Sequence, residues 1–205
     1  MLAKAAIDRK PWKPVSPVLA LIRPAPNLSP NRRPPDAKED FAVLEQPRFN
    51  LTEMNPEVYR HLMQMEALIA RNVDRTLYHL VKLRASQING CAFCLQMHTD
   101  EALRHGETPE RMMALDAWEE SPLFTDKERA ALRWTEELTL IADTGASREA
   151  YDEIKAHFSD EEIGWLISAI VQINSWNRIA ISSRSQYDPA MFGGAPAKAK
   201  ETETA

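Results

Sequence analysis

The chain has 205 residues, 44% apolar and 27% charged, with 6 Gly, 14 Pro and 2 Cys. That suits one globular domain with tails, and so few glycines exclude a turn-dense β architecture. The formal net charge is −5, but residues 1–40 carry +4 and residues 189–205 carry none, so the body over 41–188 stands at −9; an acidic body repels phosphate backbones and argues against nucleic-acid binding.

Residues 1–40 hold eight of the prolines, among them Pro24, Pro26, Pro34 and Pro35, and no sustained apolar period. They predict a Pro-rich arm, disordered or packed on a partner subunit. Its basic, acid-poor start faintly resembles an organelle transit peptide, but Val18–Ile22 is too short for a secretory signal. The expected compartment is the cytoplasm. No membrane span is expected, because the longest apolar stretch, Ile163 to Ile173, is broken by Gln172 and falls short of the ~20 residues needed.

From residue 41 to 188 the pattern is helical throughout. Asn55-Pro56-Glu57 is a helix start, and Val58, Leu62, Met65 and Ile69 follow at helical spacing. Asp74 opens a second helix, which Asn89-Gly90 breaks. A third begins at or just before Cys91 and stops at Gly106. Thr108-Pro109-Glu110 starts a fourth, to about Glu120. Thr125-x-x-Glu128 is a capping box for a fifth, to about Ala142. Ser147 caps a sixth, to about Phe158, and Ser159-x-x-Glu162 is a second capping box for the last helix, to about Ser182. That helix is apolar nearly all round, from Trp165 to Ile181, and belongs in the domain centre or a subunit interface. The fold class is therefore an all-α bundle. Residues 189–205 end in Gly193-Gly194 and a Lys/Glu/Thr run and predict a disordered tail.

Both cysteines fall in one window, Cys91-Ala92-Phe93-Cys94. A disulfide there closes almost no loop and adds little stability, so in a reducing compartment the pair reads as catalytic or metal-binding. The Asn89-Gly90 break sets Cys91 at a helix N-terminus, where unpaired N–H groups favour negative charge. Cys94 and His98 lie four apart on one helical face, where an imidazole can accept a thiol proton. A nucleophile, a base and a resolving thiol thus fall within eight residues. A zinc site helped by His98 and His105, and a pair of inert core cysteines, are the competing readings. A thioredoxin fold is not indicated, because no strand precedes Cys91.

The run from Leu80-Val81-Lys82-Leu83-Arg84 through Ser86-Gln87-Ile88-Asn89-Gly90 to Cys91-Ala92-Phe93-Cys94 and His98-Thr99 resembles the core of the alkylhydroperoxidase D (AhpD)-like proteins of the carboxymuconolactone decarboxylase superfamily. Asn174-Ser175-Trp176-Asn177-Arg178 is similar to the end of that family's last helix. The resemblance covers roughly residues 47–188. It implies an AhpD-like helical bundle with the C-x-x-C at the N-terminus of a central helix, assembled as a dimer, trimer or hexamer. It also implies thiol-dependent peroxidase activity: Cys94, beside His98, attacks a hydroperoxide, Cys91 resolves the sulfenic acid, and a lipoyl- or thioredoxin-type dithiol restores both thiols. No cofactor is implied, neither metal, haem nor flavin.

One position departs from the family. Its relay glutamate, twelve residues before the first cysteine, is here His79. Imidazole can pass protons near neutral pH but carries no fixed negative charge. His79 is either a relay residue or an ordinary helix residue, and Glu66 or Glu101 is a candidate substitute. Two further functions remain as alternatives, a lactone decarboxylase-type lyase and a non-catalytic, redox-responsive oligomer.

Overall fold

A computed structural model describes residues 46–192. The predicted arm over 1–40 lies outside the described residues, as does the part of the predicted tail over 189–205 that follows residue 192; the first four residues of that tail, Pro189–Phe192, form a 3-10 turn instead. Within them all regular structure is helical: α1 Leu51–Met54, α2 Pro56–Asn72, α3 Arg75–Asn89, α4 Ala92–Arg104, α5 Pro109–Ala114, α6 Asp126–Thr139, α7 Ile141–Thr144, α8 Arg148–His157 and α9 Asp160–Ser183. Two 3-10 turns, Leu115–Ala117 and Pro189–Phe192, complete the list. Among the described residues there is no strand, and no helix is long and apolar enough to cross a membrane.

The helices start where side chains can satisfy their free N–H groups. The Asn55 side chain accepts from Val58 N ahead of Pro56, and Asp74 accepts from Thr76 N and Leu77 N. Both capping boxes form, Thr125 with Glu128 and Ser159 with Glu162, and Ser147 caps α8. At the other end of α4, Gly106 takes φ +92 and Glu107 N reaches back to Ala102 O at 3.0 Å, which closes the helix two residues before the predicted stop.

Two elements depart from the predicted reading. The helix expected from Pro109 to about Glu120 is α-helical only to Ala114. Beyond it Leu115 and Trp118 turn into the core, and the Arg129 guanidinium gathers the carbonyls of Trp118 (2.8 Å), Ser121 (3.2 Å) and Glu119 (2.6 Å), drawing them out of a helical ladder. On α2 only Ile69 of the apolar series is buried; Val58 is 44% and Met65 37% exposed, with Met63 and Leu68 beside them at 45% each.

Helices α3 and α9 form the centre, packed on each other, with α4 and α6 against both. α9 buries Ile163, Leu166, Ala169, Ile170, Ile173 and Ala180, while Ile167 and Val171 remain exposed. Leu77 and Val81 of α3 join Trp134, Ile154, Ile170 and neighbours in one apolar cluster; Leu80 and Leu83 join Leu115, Trp118 and Leu132 in a second. A third cluster, at the end of α3, contains Ala85, Cys91, Cys94, Ile173 and Ala180, with Phe93, Trp176 and Ile181 packed on it.

Gly90 ends α3 with φ +67, a left-handed conformation that costs a residue with a Cβ roughly 1–2 kcal/mol. An added Cβ there would meet nothing within 4 Å. Gly90→Ala should therefore lower unfolding stability by about 1 kcal/mol through backbone strain alone. Urea denaturation measures this, and an unchanged midpoint would contradict it.

Candidate active site

Gly90 turns the chain so that its own N–H caps Gln87 O at 3.1 Å and Cys91 N caps Ser86 O at 3.0 Å. Helix α4 then starts with Cys91 as its N-cap, and Cys94 N donates to Cys91 Sγ at 3.4 Å. Both cysteines are free and 1% exposed, with their sulfurs 2.6 Å apart. That is inside van der Waals contact and within about 0.6 Å of a disulfide bond length.

The two thiols are in hydrogen-bonding contact, and the site divides their acidities. The contact with Cys94 is the largest influence on Cys91; it outweighs burial and, with the Cys94 amide and the Asn177 side chain, brings the Cys91 thiol down to about 7. Cys94 is pushed up by the same contact and by burial, opposed by Asn177 and by the charge of Lys82. Asn177 also donates to Ser86 Oγ at 3.0 Å and accepts from Asn89 Nδ2 at 2.9 Å, which ties α9 to the end of α3 behind the sulfurs.

His98 follows one turn after Cys94 and is 2% exposed. Its Nδ1 lies 2.9 Å from Glu101 Oε2, so the carboxylate fixes the tautomer with Nδ1–H as donor and leaves Nε2 with a free lone pair. Nε2 is buried with no hydrogen-bond partner, so His98 does not hydrogen-bond to Cys94. Burial pulls His98 below the usual histidine range, and Glu101 opposes it.

His79 is also buried, but it faces another neighbour. Its Nε2 lies 2.9 Å from His105 Nδ1, the rings stack with centroids 5.0 Å apart, and its Nδ1 has no partner. The pair lines a cavity of about 420 Å³ together with Arg75, Thr76, Thr108 and Arg111. Burial lowers His79 to about 4; Glu101 opposes this, and His105, His98 and Lys82 reinforce it. His79 is thus neutral at neutral pH and is not bonded to the dithiol.

Of the two candidate carboxylates, Glu101 pairs with His98. Glu66 of α2 is engaged elsewhere: it forms an ion pair with Lys82, accepts from the Tyr78 hydroxyl, and accepts from Trp176 Nε1 at 2.8 Å. Burial pushes Glu66 up, but Lys82 and the other donors bring it below the ordinary carboxylate range. Lys82 and Asn177 were not selected from the sequence as site residues. A signal for Lys82 is present, a charged residue inside the run Leu80-Val81-Lys82-Leu83. Among the described residues, no group of three or more His, Cys, Asp and Glu side chains is placed to hold a metal ion. The arrangement can carry two-electron thiol chemistry, with two sulfurs in contact and a buried imidazole one helical turn after Cys94.

The chain is similar to several known proteins. A sequence model of the carboxymuconolactone decarboxylase family matches residues 56–137. The uncharacterized protein YdfG of Bacillus subtilis (strain 168) is 40% identical over 136 residues, covering 66% of this chain and 92% of YdfG. ATU0492 of Agrobacterium tumefaciens, a protein of unknown function provisionally assigned to AhpD-type antioxidant defence, superposes with a TM-score of 0.67 at 43% identity, over 69% of this chain and 98% of its own. A peroxidase-related protein from Silicibacter sp. TM1040 shares the fold, with a TM-score of 0.60 at 19% identity over 68% of this chain and 75% of its own. An all-helical bundle that matches at this level along most of YdfG and ATU0492 decides the assignment: the chain belongs to the carboxymuconolactone decarboxylase superfamily, among its AhpD-like members.

Proposed function

We propose that this protein is a thiol-dependent peroxidase that reduces a hydroperoxide with the Cys91/Cys94 dithiol. The observation that carries the reading is the pair of buried sulfurs 2.6 Å apart at the start of α4, one turn before a His98–Glu101 pair. Cys91 is the more acidic thiol in the resting pair, so attack by Cys94 requires that its proton pass to His98 as the hydroperoxide enters; the Cys94 thiolate then attacks the distal peroxide oxygen. The O–O bond breaks, His98 returns the proton to the leaving alkoxide, and Cys94 becomes a sulfenic acid. Cys91 then attacks the Cys94 sulfur, hydroxide leaves as water with the Cys91 proton, and the disulfide forms. Two thiols and one hydroperoxide give one disulfide, one alcohol and one water.

Glu101 supports His98 as the base, because a carboxylate on Nδ1 stabilises the imidazolium and leaves the Nε2 lone pair without a partner. His79, neutral and bonded to His105, is a secondary proton carrier at the edge of this group. The apolar cover of Phe93, Trp176 and Ile181 suits an organic hydroperoxide. An external lipoyl- or thioredoxin-type dithiol returns the pair to thiols, a cycle suited to the cytoplasm. Exposed Val58, Met63, Met65 and Leu68 on α2, with Ile167 and Val171 on α9, favour a homo-oligomer.

Pre-reduced protein mixed with an alkyl hydroperoxide should consume one equivalent and lose two hydrogens in mass, localised to Cys91 and Cys94. Cys94→Ser should abolish consumption, whereas Cys91→Ser should stop at a trappable sulfenic acid on Cys94. Full consumption by Cys94→Ser would overturn the reading. Glu101→Gln should slow the oxidation step by about 10²-fold without changing the product.

The neutral state of His79 has its own readout. Its folded value of about 4 lies below the ordinary 6.5, so the unfolded chain binds the proton first. Its contribution is complete above pH 6.5 and is lost as the pH falls toward 4. Thermal melts across that range should show declining stability, and His79→Asn should flatten part of the decline. An equally steep decline in the variant would contradict this account.

A further inference from the structure

Cys91 and Cys94 are each 1% exposed, yet returning their disulfide to thiols requires an external sulfur to reach one of them. A carrier thiolate attacks one sulfur in line, forms a mixed disulfide and expels the other cysteine as a thiolate. The second carrier thiol then displaces the first cysteine, and the two carrier protons end on Cys91 and Cys94. A bond of about 2 Å cannot form through a closed wall, so part of the cover opens in every cycle.

That cover has a fixed part and a part laid on from outside. Trp176 and Ile181 belong to the central helix α9, and Trp176 is held by its Nε1 bond to Glu66 at 2.8 Å and by an edge contact with Tyr59, centroids 5.7 Å apart. Phe93, between the two cysteines, is half-buried and packs on the cluster that contains both sulfurs. Over Phe93 lies Tyr187, from the segment that follows α9. The two rings meet edge to face, with centroids 6.0 Å apart and planes at 80°. The Tyr187 hydroxyl donates to Asp100 Oδ2 at 2.7 Å, two turns along α4 from Phe93, and Arg104 approaches the same carboxylate at 4.0 Å. The segment is bent back at Arg184, whose φ of +57 is a left-handed conformation that residues with a Cβ seldom adopt, and Ser185 N closes the turn on Ala180 O at 3.0 Å. Residues 185–188 then run outside any helix.

We propose that residues 185–188 are a strap over the dithiol, with the Tyr187–Asp100 hydrogen bond as its latch. Closed, the strap holds Phe93 against the cluster of the sulfurs; open, it frees Phe93 to swing aside and admits the reducing dithiol from that face. The proposal rests on reading Cys91 and Cys94 as a redox dithiol and is independent of which oxidant they meet. Opening breaks the Tyr187–Asp100 bond and the Phe93–Tyr187 ring contact and leaves every helix intact, which makes it a local event rather than an unfolding. The freed hydroxyl and carboxylate are then hydrated, so both states satisfy their polar groups and the two can interchange at modest cost. The alternative openings are dearer: lifting Trp176 or Ile181 means displacing α9, the helix that packs on α3 at the centre of the bundle.

The test is the rate at which the reduced full-length protein reacts with dithiobisnitrobenzoate, a bulky aromatic disulfide, followed by release of thionitrobenzoate at fixed pH. Tyr187→Phe keeps the ring and removes the hydroxyl, and should react about tenfold faster, because it loses a hydrogen bond to a charged group. Asp100→Ala should match it, and the double variant should be no faster than either, since one latch can be lost only once. Tyr187→Ala, which also uncovers Phe93, should react faster still. If the Tyr187 variants, folded by circular dichroism, react at the parent rate, the strap does not gate the dithiol and the proposal is wrong. It is equally wrong if the two single effects multiply in the double variant, or if each acceleration equals the loss of global stability measured in urea, because the thiols would then be reached by unfolding. The assay contains no peroxide, so a protein that consumes no hydroperoxide yet shows these rate changes would overturn the peroxidase reading and leave the strap standing.

Discussion

Gly90 holds φ +67 between two helices that would otherwise run on as one. Nearly everything at the dithiol follows from that backbone constraint. The left-handed residue satisfies the last carbonyls of α3 and frees the first amides of α4. Those amides need acceptors, and Cys91 sits where an N-cap must sit. The sulfur nearest the helix start thereby receives an N–H and the positive end of the helix, while the second sulfur is delivered one turn later, almost in bonding contact.

Around this turn the protein accepts an unusual density of buried polar groups. His79, Lys82, Ser86, His98, Gln172 and Asn177 are all nearly inaccessible. Most are satisfied across helices: Gln172 reaches Leu62 O at 3.1 Å, Asn177 reaches Ser86, and Glu66 collects donors from α3 and α9. Two ring nitrogens, His79 Nδ1 and His98 Nε2, are left without partners. Buried polar atoms are rarely abandoned in this way, and the His98 atom lies on the helix that carries the sulfurs. The separation of duties between Glu66 and Glu101 follows the same geometry. Glu101 is one turn from His98 on α4, whereas Glu66 approaches from α2 and meets Lys82.

What could be read from the sequence was what is decided locally. Asn55, Asp74, Thr125, Ser147 and Ser159 cap their helices through bonds that span two or three residues, so the residue pattern alone carries the signal. The break at Asn89-Gly90 and the sharing of a face by Cys94 and His98 are equally local. The misread parts depend on distant partners. The fourth predicted helix stops early because Arg129, well downstream, takes its carbonyls. The apolar side of α2 remains largely uncovered, since helical spacing identifies a face without supplying what packs on it. His79 found His105, 26 positions away, and Lys82 found Glu66, 16 away, and neither pairing leaves a trace in spacing. His79 was selected only through the family likeness, and the structure ties it to an imidazole on the rim of the site.

Cys94, His98 and Glu101 occupy positions i, i+4 and i+7 of a single helix of 13 residues. Their mutual geometry is therefore set by helical pitch and owes little to how the rest of the bundle is assembled. Such an array has almost no contact order: it exists as soon as α4 is wound, before any long-range contact has formed. Tertiary structure is left with the task of setting the electrical environment, through groups contributed by α2, α3 and α9. A lineage built this way can exchange those surrounding residues, and with them the acidity of the sulfurs, without redrawing the distances among the three groups that share the helix.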